Sequence, residues 1–296
     1  MASDPPRYFL SIHDVHLALD KLGIVPRKHL GQNFLVSWPT IERILSACDL
    51  QPDDIVLEIG PGLGALTFEM AARVQQVIAI EIDASMAGRL ETEKARLSVD
   101  NVDVVVADAL AASYPDTITK IVTSMPYSIA GPLTSKILDH VASHHVPAFI
   151  LCQQEFGTKL LAKPGTGDYS RLSALATLLS EPAGVVAISR RNFFPVPDVD
   201  SSFISLRPMD VDSSIDLDAF RRFARAIFPL KNKTLHAAMG IYLKNIGRSD
   251  VMPYFQASGL ERDERVRQIE PAELAAIASW LKVAGALPGP AGDEDD

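Results

Sequence analysis

The chain has 296 residues, 47% of them hydrophobic, and a formal net charge of −9. That length and apolar content suffice for one large domain plus a smaller one without covalent staples, and the acidic sum counts against a protein that grips nucleic acid by bulk charge alone. Two cysteines, Cys48 and Cys152, argue against a disulfide framework or a thiolate metal site, and with no apolar run of spanning length and no signal-like start a soluble cytoplasmic protein is expected.

Residues 1–25 begin Pro-rich and then place Ile12, Val15, Leu19 and Leu22 at helical spacing before Gly23, which predicts an N-terminal arm carrying one weak helix. Arg27-Lys28-His29 then leads through Gly31-Gln32-Asn33 to Phe34-Leu35, a loop running from a charged surface to an apolar anchor. A helix is expected from Pro39 to Cys48, with Ser37 as its cap.

The stretch from Ile55 to Tyr127 organises the rest. Ile55-Val56-Leu57-Glu58-Ile59 reads as a buried strand that turns through Gly60, Gly62 and Gly64 into a helix over Ala65 to Val74. Glycines suit a turn where backbone must approach a ligand and φ is positive. A second strand, Val77 to Ile80, ends at Glu81, about 20 residues after the glycine turn, the spacing at which a carboxylate reaches ribose hydroxyls. A helix over Ala84 to Leu97, a strand over Val102 to Val106 ending near Asp108, and a strand over Lys120 to Thr123 ending in Ser124-Met125-Pro126-Tyr127 follow.

Further along are a helix over Gly131 to Val141, a strand over Ala148 to Cys152, a helix over Glu155 to Ala162 and a Gly/Pro-rich loop over Lys163 to Ser170. A helix over Leu172 to Leu179, a strand over Val185 to Ile188, a stiff aromatic loop from Asn192 to Pro197 and a strand over Ser202 to Leu206 complete the alternation. The pattern predicts an α/β fold with a doubly wound, Rossmann-like parallel sheet whose ligands bind beyond the carboxyl ends of the strands. Near 208–212 helices take over, at Leu217 to Ile227, Thr234 to Leu243, Pro253 to Ser258 and Pro271 to Val283, so a small all-α domain is expected before an acidic tail at 287–296. Ten Lys or Arg face four acids between Arg221 and Arg267, a local excess of +6 that leaves room for a basic face.

The glycine turn alone also fits a dinucleotide fingerprint, Gly60-x-Gly62-x-x-Ala65, so hydride transfer competes until the other motifs are weighed. Asp108 suits a bond to an adenine amine. Pro126 lacks an N–H and restricts φ, so nearby carbonyls can be held toward an amine, and Tyr127 offers a ring for a flipped base. His140 and His144 lack a third metal ligand, and Gly165-Thr166-Gly167 lacks a phosphate-loop lysine.

Together these motifs make the chain resemble the KsgA-type ribosomal RNA adenine dimethyltransferases, in their archaeal and eukaryotic branch, from about Arg27 to Leu281. The carrying residues are Gly31 to Leu35, Glu58 to Gly64, Glu81, Asp108, Pro126-Tyr127, Tyr169 to Ser173, Phe193 with Pro195, Pro197, Val199 to Ser201, and Lys231 to Leu235. The resemblance implies S-adenosylmethionine as methyl donor and, as acceptor, two adjacent adenines near the 3′ end of small-subunit ribosomal RNA within an immature subunit. It implies a methyltransferase catalytic domain at 26–208, a helical RNA-binding domain at 209–286, and a monomer without a metal. By the same resemblance Asn33, Leu35, Gly60, Gly62, Glu81, Asp108 and Ser124 would hold the donor. Ser124 and Pro126 would orient the target amine, Tyr127 and Phe193 would sandwich its base, and Arg222, Lys231 and Lys233 would meet RNA. Ser124 stands where the family usually has asparagine, and Lys231-Asn232-Lys233 replaces a more arginine-rich pattern. Relatives that methylate large-subunit RNA, or a weakly catalytic assembly factor, are the competing readings.

Overall fold

A computed structural model describes residues 8–23 and 33–288; the expectations for Arg27 to Gln32 and for the acidic tail beyond 288 lie outside the described residues. The first helix, α1 (Ile12–Leu22), opens on a Ser11 capping box with Asp14 and stops at Gly23 in the left-handed region. Short strand β1 (Phe34–Leu35) precedes α2 (Trp38–Ala47), which starts with Pro39 in its first turn, where a missing N–H costs nothing. The central elements are β2 (Ile55–Ile59), α3 (Thr67–Ala71), β3 (Gln76–Glu81), α4 (Ala84–Leu97), β4 (Val102–Val106), β5 (Lys120–Ser124), α5 (Ala130–His144) and β6 (Ala148–Gln153). Then come α6 (Gln154–Leu160), α7 (Arg171–Leu179), β7 (Ser180–Ile188), β8 (Phe193–Phe194) and β9 (Ser201–Pro208).

Seven strands form one sheet in the order β4-β3-β2-β5-β6-β9-β7. The pairs among β2 to β6 are parallel, and β9 joins β6 antiparallel, with Ile150 opposite Ile204. From β2 the chain steps outward through β3 to β4, then returns to pair β5 with the other side of β2. That reversal opens a crevice at the carboxyl ends of β2 and β5, where doubly wound sheets bind ligands. Val56, Leu57, Val77, Ile121 and Ile150 are fully buried, as expected for strands covered on both faces.

Three elements differ from the sequence-based expectation. The helix after the glycine turn is only the five residues of α3 rather than ten. The turn occupies residues up to Gly64, at φ +87, and Ala72 and Arg73 close the far end onto Phe68 and Met70. Strand β7 runs five residues further toward the N-terminus than expected, through Pro182 and Gly184; it ends the strand order, and an edge strand tolerates a proline without a donor. The aromatic loop contains β8, which pairs antiparallel with β1, Phe34 opposite Phe194 and Leu35 opposite Phe193.

The chain divides into two compact units, one comprising residues up to 157 and 181–208, the other 158–180 and those from 209 on. The second contains α7 together with α8 (Leu217–Ile227), α9 (Leu235–Asn245), α10 (Met252–Ala257) and α11 (Pro271–Val283). Helix α11 packs on α8 and α7, and Phe220, Phe223, Met239, Leu243, Phe255 and Leu281 fill its core. Tyr169, fully buried, donates its hydroxyl to the Ile269 carbonyl at 3.2 Å, which holds residues of the 158–180 segment within this unit. Among the described residues no helix is long and apolar enough to cross a membrane.

Candidate functional site

A cavity of about 300 Å3 opens at the crevice beyond β2, β3, β4 and β5. Its floor is the turn after β2. Gly60, at φ +74, donates its N–H to the Ile80 carbonyl at 3.0 Å, and a Cβ built on it would stand 2.9 Å from the Ser124 carbonyl oxygen. Gly62, at φ +56, faces the Phe34 ring, which a Cβ would meet at 3.3 Å. A Cβ at Gly60 would collide with backbone, one at Gly62 would crowd the ring, and the positive φ at both positions strains any L side chain, so glycine is favoured where backbone lines the cavity.

Glu81, at the end of β3, is 7% exposed. Its two carboxylate oxygens accept from the Gly62 N–H at 3.2 Å and the Asp83 N–H at 3.0 Å, fixing the carboxylate between the glycine turn and the start of α4. Burial raises its pKa, and those backbone donors oppose the rise. Asp108 follows β4. The Ala107 N–H donates to the Glu81 carbonyl at 3.1 Å, and one Asp108 carboxylate oxygen accepts from Leu110 N–H at 2.8 Å. The carboxylate itself is exposed at the cavity rim.

Of the residues expected to hold a donor, Asn33, Leu35, Gly60, Gly62, Glu81, Asp108 and Ser124 all line this one cavity, and so does Pro126. The Pro126 carbonyl accepts the Ile129 N–H at 3.3 Å, so one of its lone pairs is already used. The Tyr127 side chain lies outside what the structure describes. The stacking role expected of Phe193 meets a physical cost: the ring is 4% exposed within the core cluster and is absent from the cavity lining. The reason is the β1–β8 pairing, which sets Phe193 beside Leu35, while Phe194 is half-buried with its ring 4.3 Å from that of His16.

The three expected RNA contacts belong to the second unit. Arg222 donates to the Pro288 carbonyl and to Asp218, and Lys231 donates to the Gly167 and Tyr169 carbonyls at 3.0 and 2.8 Å. Lys233 is exposed.

Sequence reading missed several contributors to the lining. Leu10, from the segment before α1, lines the cavity, as do Ser128 and Ile129 after the Ser-Met-Pro-Tyr motif. Ile82 is 71% exposed at the cavity edge between Glu81 and Asp83, an apolar side chain whose position next to the strand-end acid was the available signal. Glu58 was legible as a strand-end acid, but not its state. It is 2% exposed, one carboxylate oxygen has no hydrogen-bond partner among the described residues, and its pKa is pushed up to about 8. Burial is the main cause, Thr67 opposes it and the Glu81 carboxylate adds to it.

The lining fits a nucleoside-bearing ligand: positive-φ glycine backbone at Gly60 and Gly62, an orphaned buried carboxyl oxygen at Glu58, and carboxylate acceptors at Glu81 and Asp108. Among the described residues no group of three His, Cys, Asp or Glu could hold a metal ion.

Comparison with known proteins gives a consistent result. The family description "Ribosomal RNA adenine dimethylase" matches residues 25–283. The chain is 38% identical over 221 residues to a "Probable ribosomal RNA small subunit methyltransferase A" of Methanopyrus kandleri, covering 74% of this chain and 78% of that one. It is 36% identical over 268 residues to the protein of the same name in Methanothermobacter thermautotrophicus, covering 89% and 94%. A dimethyladenosine transferase from Plasmodium falciparum superposes with a TM-score of 0.72 at 24% identity, over 86% of this chain and 98% of that one, a likeness of fold.

Proposed function

The chain belongs to the ribosomal RNA adenine dimethylase family, and from that premise we propose that it methylates the N6 amines of two adjacent adenosines near the 3′ end of small-subunit ribosomal RNA. It is an S-adenosylmethionine-dependent methyltransferase. Bound in the crevice, S-adenosylmethionine supplies an electrophilic methyl group. The observation that carries the residue assignments is the convergence of Glu81, Asp108 and Ser124 on one cavity floored by Gly60 and Gly62.

In this reading Glu81, already oriented by two backbone N–H groups, accepts the ribose hydroxyls, and the Asp108 oxygen not used by Leu110 accepts the donor's adenine amine. Ile82 covers the adenine face, and Asn33 with Leu35 closes the opposite wall. Ser124 and the remaining lone pair of the Pro126 carbonyl accept from the target amine, which favours its pyramidal, nucleophilic form before the proton departs. No strong base is required, and positioning supplies much of the rate. Tyr127 stacks the flipped base; Phe193 holds Leu35 and would join the stack only by giving up its core packing. Lys233 meets RNA, and Arg222 and Lys231 do so with the part of their charge not spent within their own unit. A monomer acting in the cytoplasm on an immature subunit completes the proposal. A large-subunit target is not favoured, because the curated relatives above carry small-subunit names.

The test is incubation with methyl-labelled donor and immature small subunits, followed by mass spectrometry of the RNA nucleosides. N6-dimethyladenosine at two neighbouring positions is the expected product; label in naked large-subunit RNA but not in small subunits would overturn the target assignment.

A further inference from the structure

Lys136 lies on α5, two turns beyond the Ser-Met-Pro-Tyr motif, and none of the motifs accounts for it. Its half-buried ammonium donates to the carbonyls of Ala109, at 2.9 Å, Leu110, at 2.7 Å, and Ala112. An ammonium has three N–H bonds, so all are spent on one turn of chain. It is a hydrogen-bonded turn: the Ala111 and Ala112 N–H groups donate to the Asp108 carbonyl at 3.1 and 2.8 Å, and the Asp108 side chain braces its start by accepting from Leu110. One turn leaves its last carbonyls without partners and with partial negative charge. Lys136 satisfies them from the neighbouring helix. The Tyr114 ring lies under the ammonium at 4.4 Å, and the Tyr114 hydroxyl donates to the Ala109 carbonyl at 3.0 Å, closing the staple from the other side.

We propose that Lys136 is a positioning residue for donor recognition: by capping the 109–112 turn it holds Asp108 and Ala109 at the cavity rim and ties that rim to the helix that follows the acceptor motif. The inference rests on the reading of Asp108 as the acceptor for the donor's adenine amine. Burial lowers the pKa of Lys136 and the Asp108 carboxylate opposes this. Removing the ammonium orphans the Leu110 and Ala112 carbonyls and leaves that of Ala109 to the Tyr114 hydroxyl alone, so the turn that aims Asp108 loses its far end.

Calorimetry of the full chain with two ligands separates aiming from general support. One is S-adenosylhomocysteine; the other is its analogue with unsubstituted purine in place of adenine, which lacks the exocyclic amine. In Lys136→Met the first is expected to bind about tenfold more weakly and the second within about twofold of wild type, so discrimination between them shrinks; Lys136→Arg, which keeps charge and several donors, should retain most of it. Should Lys136→Met not fold, Lys136→Gln, which keeps two donors, is read in the same way. Equal weakening toward both ligands, or no change toward either, would overturn the proposal. Wild-type protein that binds neither would instead remove the donor-site reading beneath it.

Discussion

At the scale of single residues the site runs on acids in different environments. Glu81 is held by two backbone donors, so Glu81→Ala removes the brace on Gly62 and, on the proposed reading, the ribose acceptor; donor affinity is expected to fall at least about tenfold, the scale of one charged hydrogen bond, and calorimetry checks it. Glu58 behaves differently because burial keeps it protonated. Its pKa of about 8 lies above the ordinary value of 4.5, so between those values the folded chain holds a proton that the unfolded chain has released. The stability this group supports is complete below pH 4.5 and is lost as pH rises through 8. Glu58→Gln abolishes that dependence, so its melting temperature should gain on wild type between pH 5 and 8.5; parallel melting curves would contradict the assignment. On the same proposed reading Ser124 is a shorter acceptor than the asparagine that the family resemblance implies at this position. Ser124→Ala is expected to lose roughly tenfold to a hundredfold in single-turnover rate with donor affinity nearly intact, on the scale of one neutral acceptor lost in the transition state, while Ser124→Asn stays active.

Among elements, the segment from Tyr8 through α1 is the one whose role changes most on seeing the fold. As sequence it is a weak helix on an arm. In the structure Tyr8 donates its N–H to Glu69 at 2.7 Å and its hydroxyl to the Leu63 carbonyl at 2.9 Å, gripping the end of the glycine turn. Leu10 lines the cavity, and Val15, Ala18 and Leu19 are buried in the core cluster with Phe34 and Ile41. Val15 and Leu19 alone account for about 1.5–3 kcal/mol each on burial. A chain lacking residues 1–23 should therefore melt well below the full chain and bind S-adenosylhomocysteine at least about tenfold more weakly. Unchanged affinity in a folded truncation would reduce the segment to an appendage.

For the whole molecule the issue is how an acidic protein meets RNA. The local excess of +6 between Arg221 and Arg267 overstates the available charge, because Arg222 and Lys231 spend donors on carbonyls of their own unit. Lys233→Ala should thus weaken binding to small subunits and flatten its salt dependence without shifting the melting temperature, whereas Arg222→Ala and Lys231→Ala should lower the melting temperature as well. A wild-type salt slope in Lys233→Ala, measured by subunit binding across salt concentrations, would place the RNA face elsewhere.

What the sequence determined by itself was whatever is local. Strand–turn–helix order, the need for glycine at 60 and 62, and the strand-end positions of Glu81, Asp108 and Ser124 follow from side-chain periodicity and from where φ must be positive. The extension of β7 along a sheet edge and the β1–β8 pairing that buries Phe193 were decided by the tertiary structure, because each depends on a neighbour distant in the chain. So were the protonation of Glu58 and the capping of the 109–112 turn by Lys136, since desolvation and long-range hydrogen bonds exist only once separate segments are packed together.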